Sequence, residues 1–267
     1  MIRDITIGQY YPAKSPIHKL DPRTKLAGTL IFIISVFLFH TVVGYAVATV
    51  FLAGMILIST VPVKFIFKGL KAIFMILLIT MVFNILLTPG EAIVTLGIFK
   101  ITKEGITMAV RMAIRLIYLV IGSSLMTLTT TPNQLTDGLE KSLRPLNKIH
   151  VPVHEIAMMM SIALRFIPIL LEETDKIMKA QIARGADFEN GNLIQKVKNM
   201  VPLLVPLFIS AFRRANDLAM AMEARCYHGD ENRTKMKPLK YAAIDRKAYL
   251  CLLLYMVVMV VLAVMWK

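Results

Sequence analysis

Residues 42–61, VVGYAVATVFLAGMILISTV, contain no charged side chain. An α-helix needs roughly 20 mostly apolar residues to cross the hydrocarbon core of a bilayer. A surface helix of a soluble domain would instead keep a polar face, with its apolar residues confined to a stripe. This stretch therefore predicts a membrane-spanning helix, and it places the chain among integral membrane proteins.

The rest of the chain extends this prediction. Further apolar runs lie at about 26–40, 69–88, 106–129 and 247–266. The chain is 57% hydrophobic and 18% charged, whereas soluble domains average about 45–50% apolar and about 25% charged residues. Asp21-Pro22 offers an N-cap followed by proline, so the first helix is expected to begin near Pro22. We expect an all-α polytopic bundle of about five transmembrane helices.

The net charge of +14 does not indicate nucleic-acid binding in a chain of this class. Membrane proteins accumulate Lys and Arg in their cytoplasmic loops, where anionic lipids attract them, and we expect no nucleic-acid partner. Cys226 and Cys251 suggest neither a disulfide framework nor a zinc site. Residues 1–25 are polar where a cleavable signal peptide would have its apolar core, so no such signal is expected.

The distribution of basic residues predicts the orientation. Lys and Arg recur in the N-terminal arm, from Arg3 to Lys25, and in the connection that holds Lys64, Lys68 and Lys71, while His40-Thr41 adds none. The positive-inside rule then places the N-terminus in the cytoplasm. Four crossings return the chain to that side, so the predicted organisation is a membrane domain, a cytoplasmic helical domain and a last membrane helix that leaves the C-terminus outside. Their bounds are 1–130, 131–246 and 247–267.

The cytoplasmic segment is expected to be helical. Thr131-Pro132-Asn133-Gln134 resembles a capping box and opens a helix to about Arg144. Two long helices follow. One is predicted at about 153–184 and is closed by Gly185 as a C-cap, and the other at about 196–225. Pro202 and Pro206 are expected to break or kink the second helix near its start.

Both long helices end in the same pattern, Ala-x-x-Ala-Arg, at Ala180–Arg184 and Ala221–Arg225. One interpretation is ordinary helix termination, because a C-terminal arginine complements the helix dipole and Gly185 is a common stop signal. The other is functional. Small alanines let a helix tip enter a groove, where the guanidinium forms bidentate bonds to carboxylates.

Alignment of the two long helices at their terminal arginines also predicts where they cross. Glu172-Glu173 precede Arg184 by the same distance as Arg213-Arg214 precede Arg225, and the two pairs have opposite charge. If the helices cross at these positions, ion pairs between them would fix the crossing.

Three motifs together carry a resemblance to a known family. They are Leu20-Asp21-Pro22-Arg23-Thr24-Lys25 and the two tips, Ala183-Arg184-Gly185 and Ala224-Arg225-Cys226. The chain resembles, over essentially its full length, the transmembrane T component of the energy-coupling factor (ECF) transporters, the vitamin and metal-ion importers of prokaryotes. Cys226 departs from the small residue, Gly or Ser, expected at that position.

The resemblance implies a non-catalytic scaffold in the prokaryotic cell membrane. Its two tips would contact two ATP-binding-cassette (ABC) ATPases, and its membrane-facing surfaces would hold a substrate-binding S component. ATP and cargo would bind to these partners, so no cofactor is expected in this chain. The sequence has no Gly-x-x-x-x-Gly-Lys-Ser/Thr loop of its own.

Other signals are weaker. His150 and His154 have helical spacing but lack a third ligand apart from Glu155, and no metal site is predicted. Glu172-Glu173 resembles a pair found in intramembrane proteases but lacks the arginine that follows it there. Arg111 and Arg115, on the fourth membrane helix, are expected to snorkel or to reach an acceptor inside the bundle.

Two alternative functions remain open. A stand-alone secondary transporter should have broken helices and polar residues near the midplane, arranged in repeats. An intramembrane enzyme should have convergent catalytic groups at one depth. The sequence has neither pattern, and a coupling scaffold accounts better for the long cytoplasmic helices.

Overall fold

The computed structural model describes residues 10–39, 41–96, 99–186, 188, 192–227, 229, 236 and 238–265. The prediction for the N-terminal part of the arm, which includes Arg3, and the predicted connection at His40 lie outside this part. Eight α-helices are described, α1 to α8 in chain order. Their bounds are Pro22–Leu38, Val42–Ser59, Val63–Leu87, Lys103–Thr129, Pro132–Leu143, Val153–Ala183, Leu193–Glu223 and Ala243–Met265.

Local capping interactions set several helix starts as predicted. Asp21 is the N-cap of α1, and its carboxylate accepts from the backbone N–H of Arg23 at 2.9 Å. The capping box of α5 is reciprocal: Thr131 Oγ1 accepts from the N–H of Gln134, and Gln134 Oε1 accepts from the N–H of Thr131. A 3₁₀ turn, Arg144–Ile149, follows α5. These contacts are short-range, which is why sequence alone predicts them.

The described chain divides into two compact units. One contains α1 to α4, most of α5, and α8, and the other contains α6 and α7. In the first unit α1 contacts α4 and α8, α2 contacts the same two helices, and α3 lies against α4. The core of this unit is aromatic, with the Phe51 and Tyr255 rings stacked 4.2 Å apart. Gly122 of α4 permits close approach to α1, since a Cβ there would lie 2.8 Å from the Phe32 ring.

Four helices of the described part are long and apolar enough to cross a membrane. They are α2, α4, α6 and α8, and α3 becomes a fifth if its two arms form one span. The all-α polytopic fold is therefore confirmed. The set differs from the prediction because α6 qualifies, whereas α1 has 17 residues and is shorter than the other spans.

The structure corrects three details. The segment predicted as a plain connection at about 89–105 contains two antiparallel strands, β1 (Ala92–Leu96) and β2 (Phe99–Thr102). The basic connection before the third run is the first arm of α3, which bends by 57° between Lys71 and Ile73.

Of the break or kink predicted near the start of α7, the structure shows no break. This helix is continuous through Pro202 and Pro206 over its 31 residues. The prolines are four apart, so the N–H missing at Pro206 is the one that would bond to the carbonyl of Pro202. The remaining ladder of hydrogen bonds keeps the segment helical on both sides of this gap.

Candidate functional site

The first candidate tip is the C-terminus of α6. The N–H of Gly185 donates to the carbonyl of Ile182 at 2.9 Å, and the N–H of Ala186 donates to Gln181 at 3.0 Å. Gly185 has φ +87°, in the left-handed region. These two bonds with a left-handed residue form a Schellman motif, in which Arg184 is the last residue of the helical path.

The second tip, at the C-terminus of α7, has the same geometry. The N–H of Cys226 donates to the carbonyl of Glu223 at 2.8 Å, and the N–H of Tyr227 donates to Met222 at 3.1 Å. Cys226 has φ +55°, so a non-glycine residue occupies the left-handed position. A Cβ disfavours this conformation by roughly 1–2 kcal/mol. Of the two residues expected after Arg225, Gly and Ser, only glycine would avoid this cost.

The arginines of both tips are exposed on the surface of the chain. The side chains of all six predicted contact residues are exposed: Ala183, Arg184, Gly185, Ala224, Arg225 and Cys226. Neither guanidinium has a carboxylate partner within the part of the chain that the structure describes. Each tip is therefore a cation beside an alanine, on a backbone turn held by two hydrogen bonds.

Upstream of the tips, α6 and α7 pack together and are joined by an ion pair. Arg214 Nη2 donates to Glu173 Oε2 at 3.4 Å, with side chains 38% and 28% exposed. Glu173 and Arg214 each lie eleven residues before the arginine of their own tip. At 1.5 Å per helical residue, both tips are about 16 Å from this contact. The contact thus joins equivalent positions of two equally long helices, while Glu172 and Arg213 are exposed.

An apolar stripe runs along the exposed side of α7. Its members recur every three or four residues and therefore share one helix face. They are Val197, Val201, Val205, Phe208 and Phe212, and between 49% and 69% of each is exposed. A stripe of this length indicates a surface that another apolar surface covers.

The Leu20–Lys25 motif forms a buried polar junction in the first unit. Lys25 Nζ donates to the carbonyls of Thr129 and His18, at 2.8 and 3.2 Å. Arg23 binds the Asp21 carboxylate through two guanidinium nitrogens, at 2.9 and 3.0 Å. Burial alone raises the pKa of Asp21, but these hydrogen bonds and the charge of Arg23 outweigh it and hold the pKa below its usual value.

Asp245 completes this junction, and sequence reasoning missed it. The side chain is 1% exposed, and its two oxygens accept from the backbone N–H groups of Asp21 and Ala242 at 2.8 and 2.7 Å. The signal available in the sequence is an acidic residue in the first turn of α8. That signal predicts the contact to Ala242, but not the partner at the start of α1.

The remaining candidates do not form a site. Arg115 lies over the Phe37 ring at 5.1 Å, so its contact is a cation–π interaction rather than the predicted acceptor, and Arg111 is exposed. His150 is exposed with φ +60°. Within the described ranges, no group of three or more His, Cys, Asp or Glu residues could hold a metal ion.

The amino-acid sequence matches a known family over most of its length. The family model CbiQ, described as a cobalt transport protein, matches residues 13–236. A relative from Clostridium kluyveri is 56% identical over 271 residues, which cover 100% of this chain and 99% of that protein. A relative from Bacillus subtilis is 48% identical over 95% of this chain and 96% of its own length. Both are named energy-coupling factor transporter transmembrane protein EcfT.

Proposed function

Because the chain belongs to the family of CbiQ and EcfT, the transmembrane components of energy-coupling factor transporters, we propose that it couples two ABC ATPases to a membrane-embedded S component. ATP hydrolysis in the partners moves the coupling helices α6 and α7, and these move the S component that carries a vitamin or another micronutrient. The chain itself is non-catalytic in this proposal.

The observation that carries the proposal is the pair of equivalent tips. Two exposed arginines, Arg184 and Arg225, end helices of equal length in the same Schellman geometry and lie equally far from the Glu173–Arg214 contact. Simple helix termination requires no such equivalence. Two ATPases of one fold would present similar grooves, and two matching tips fit them. A guanidinium there pairs with groove carboxylates in bidentate geometry.

The apolar stripe on α7 supports the second half of the proposal. The membrane-embedded S component has apolar helices, and a face formed by Val197, Val201, Val205, Phe208 and Phe212 is complementary to them. Movement of α7 would then pass directly to the bound partner.

The proposal places α6 beside α7 on the cytoplasmic side. The first half of α6 is apolar enough to cross a membrane, but the segment after Leu171 is strongly charged, from Glu172 to Arg184. The helix also belongs to one compact unit with α7, which is not among the candidate spans. We infer that the apolar half of α6 lies against the membrane surface or the S component. With α1 counted as a crossing beside α2, α3, α4 and α8, the number of crossings is odd.

Co-purification with the two candidate ATPases tests the proposal. The wild-type chain should capture both, Arg184→Glu and Arg225→Glu should each weaken capture by about tenfold, and the double variant should abolish it. A charged hydrogen bond contributes about 1.5–3 kcal/mol, which sets this scale. Lys176→Glu, the same charge reversal at an exposed site within α6, is the matched control. Equal capture by all versions would mean that the arginines serve only to terminate the helices. No capture by the wild type would favour a stand-alone transporter.

A further inference from the structure

An apolar cavity of about 290 Å³ lies among α1, α2, α4 and α8. Its lining comes from the beginnings of α1 and α8, at Thr24–Phe32 and Ile244–Leu252, and from the ends of α2 and α4, at Phe51–Ile58 and Gly122–Thr129. Antiparallel helices bring these ends to one side of the bundle. The cavity therefore occupies the half that adjoins the N-terminal arm. Its extent along α1 is about 12 Å, close to the hydrocarbon thickness of one leaflet.

The cavity is closed at the bundle centre, while its lining is exposed at the arm end and along one side. Phe32 and Leu52, both buried core residues, close the end at the bundle centre. At the arm end the lining includes the buried Ile17 and the Lys25 side chain, which is bound to a backbone carbonyl, but also the exposed Pro16. Ile58 and Ile244 also line the cavity, yet they are 50% and 40% exposed. Cys251, about two turns farther along α8, also lines the cavity and is exposed, so the opening extends from the arm end along the side of the bundle.

The available charge at its rim is positive. Lys247 lines the cavity, is exposed, and has no carboxylate partner among the described residues. The neighbouring carboxylates are already engaged, since Asp245 accepts from two backbone N–H groups and Asp21 is paired with Arg23. Lys247 is therefore free to attract an anion at the membrane surface.

We propose that this cavity binds one acyl chain of an anionic phospholipid, with the lipid phosphate at the Lys247 ammonium. An apolar cavity gives water few hydrogen-bond partners and so favours an apolar occupant. A polar cargo molecule would need several convergent polar groups to orient it, and this lining supplies few. The bound chain would complete the packing of α2 against α1 and α8 near the junction formed by Asp21, Lys25 and Asp245.

A photoactivatable phosphatidylglycerol with a diazirine in its acyl chain tests the site. The full chain is placed in phosphatidylcholine nanodiscs containing a trace of this probe, and labelled peptides are identified by mass spectrometry. Labelling is expected on residues 244–252 and 122–129. Unlabelled phosphatidylglycerol should compete about fivefold better than phosphatidylcholine, because a basic residue near the membrane surface attracts an anionic lipid.

Matched variants separate the cavity from general lipid contact. Ala248→Phe fills the cavity and should reduce labelling at least several-fold. Leu250→Phe should not reduce it, because Leu250 is 70% exposed and does not line the cavity. Lys247→Glu should remove the preference for phosphatidylglycerol while labelling by the acyl chain persists. Equal labelling of the two phenylalanine variants would overturn the acyl-chain site. Equal competition by both lipids on the wild type, which needs no variant, would overturn the headgroup assignment.

Discussion

The buried carboxylate of Asp245 accepts a hydrogen bond from the backbone N–H of Asp21 at 2.8 Å, across 224 residues of sequence. This contact ties the first turn of α8 to the N-cap of α1. A second bond from Ala242 occupies the other oxygen of Asp245. The beginnings of α1 and α8 are thus held together by a side chain that donates nothing and accepts at both oxygens.

Replacing Asp245 should destabilise the membrane unit. Asp245→Ala leaves the buried N–H of Asp21 without an acceptor, which costs about 1–3 kcal/mol, and also removes the acceptor of the Ala242 N–H, a residue that is exposed. Asp245→Asn keeps one acceptor oxygen and should cost about half as much. Thermal unfolding in detergent measures the difference, with Asp217→Ala as an exposed control. An Asp245→Ala melting temperature equal to the control value would contradict the contact.

The left-handed position of Cys226 predicts a stabilising substitution. Cys226→Gly removes the Cβ that disfavours φ +55°, and it should raise stability by about 1 kcal/mol, less the greater freedom of glycine in the unfolded chain. Gly185→Ala, at φ +87°, should lower stability by about as much. Both changes are followed by thermal unfolding. Opposite signs are expected for two equivalent positions, so a loss of stability in both variants would show that the tips differ.

The ion pair between α6 and α7 should stabilise the helix contact only modestly. Partly exposed pairs contribute about 0.2–1 kcal/mol, so Glu173→Ala should have a small effect on unfolding. Glu173→Arg places two arginines together and should be worse, and the added change Arg214→Glu should restore most of the loss. Glu172→Arg is the control, because Glu172 is exposed. Failure of the double reversal to recover stability would mean that the contact depends on packing alone.

The number of crossings predicts which side each part faces. Cys226 should react with a membrane-impermeant maleimide only from the cytoplasmic side. Met265→Cys, in a background without Cys226 and Cys251, should react only from outside. If α6 crossed the membrane, both results would be inverted. Labelling of intact cells and of inverted vesicles therefore decides between the two topologies.

Sequence predicted the features that depend on local chemistry. The N-cap at Asp21, the Thr131–Gln134 capping box and the left-handed Gly185 each involve residues within a few positions of each other. The Ala-x-x-Ala-Arg pattern that ends both α6 and α7 could be read from the sequence for the same reason.

Contacts between distant parts of the chain, and outcomes that depend on opposing energies of similar size, were not predictable in this way. Asp245 accepts from the N–H of Asp21 at the other end of the chain, and no local sequence pattern predicts this contact. The continuity of α7 depends on whether many backbone hydrogen bonds outweigh the penalty at Pro202 and Pro206. The strands β1 and β2 did leave a signal, since two runs rich in β-branched residues flank Gly97.

Site-specific photo-crosslinking from the two tips tests directly whether they contact the ATPases. A photoreactive amino acid replaces Arg184 or Arg225 in the full chain, expressed together with the two candidate ATPases, and Lys176 carries the same probe as the control. If α6 and α7 are coupling helices, both tips should crosslink to an ATPase and position 176 should not. Crosslinks from neither tip, or equally from position 176, would contradict this assignment.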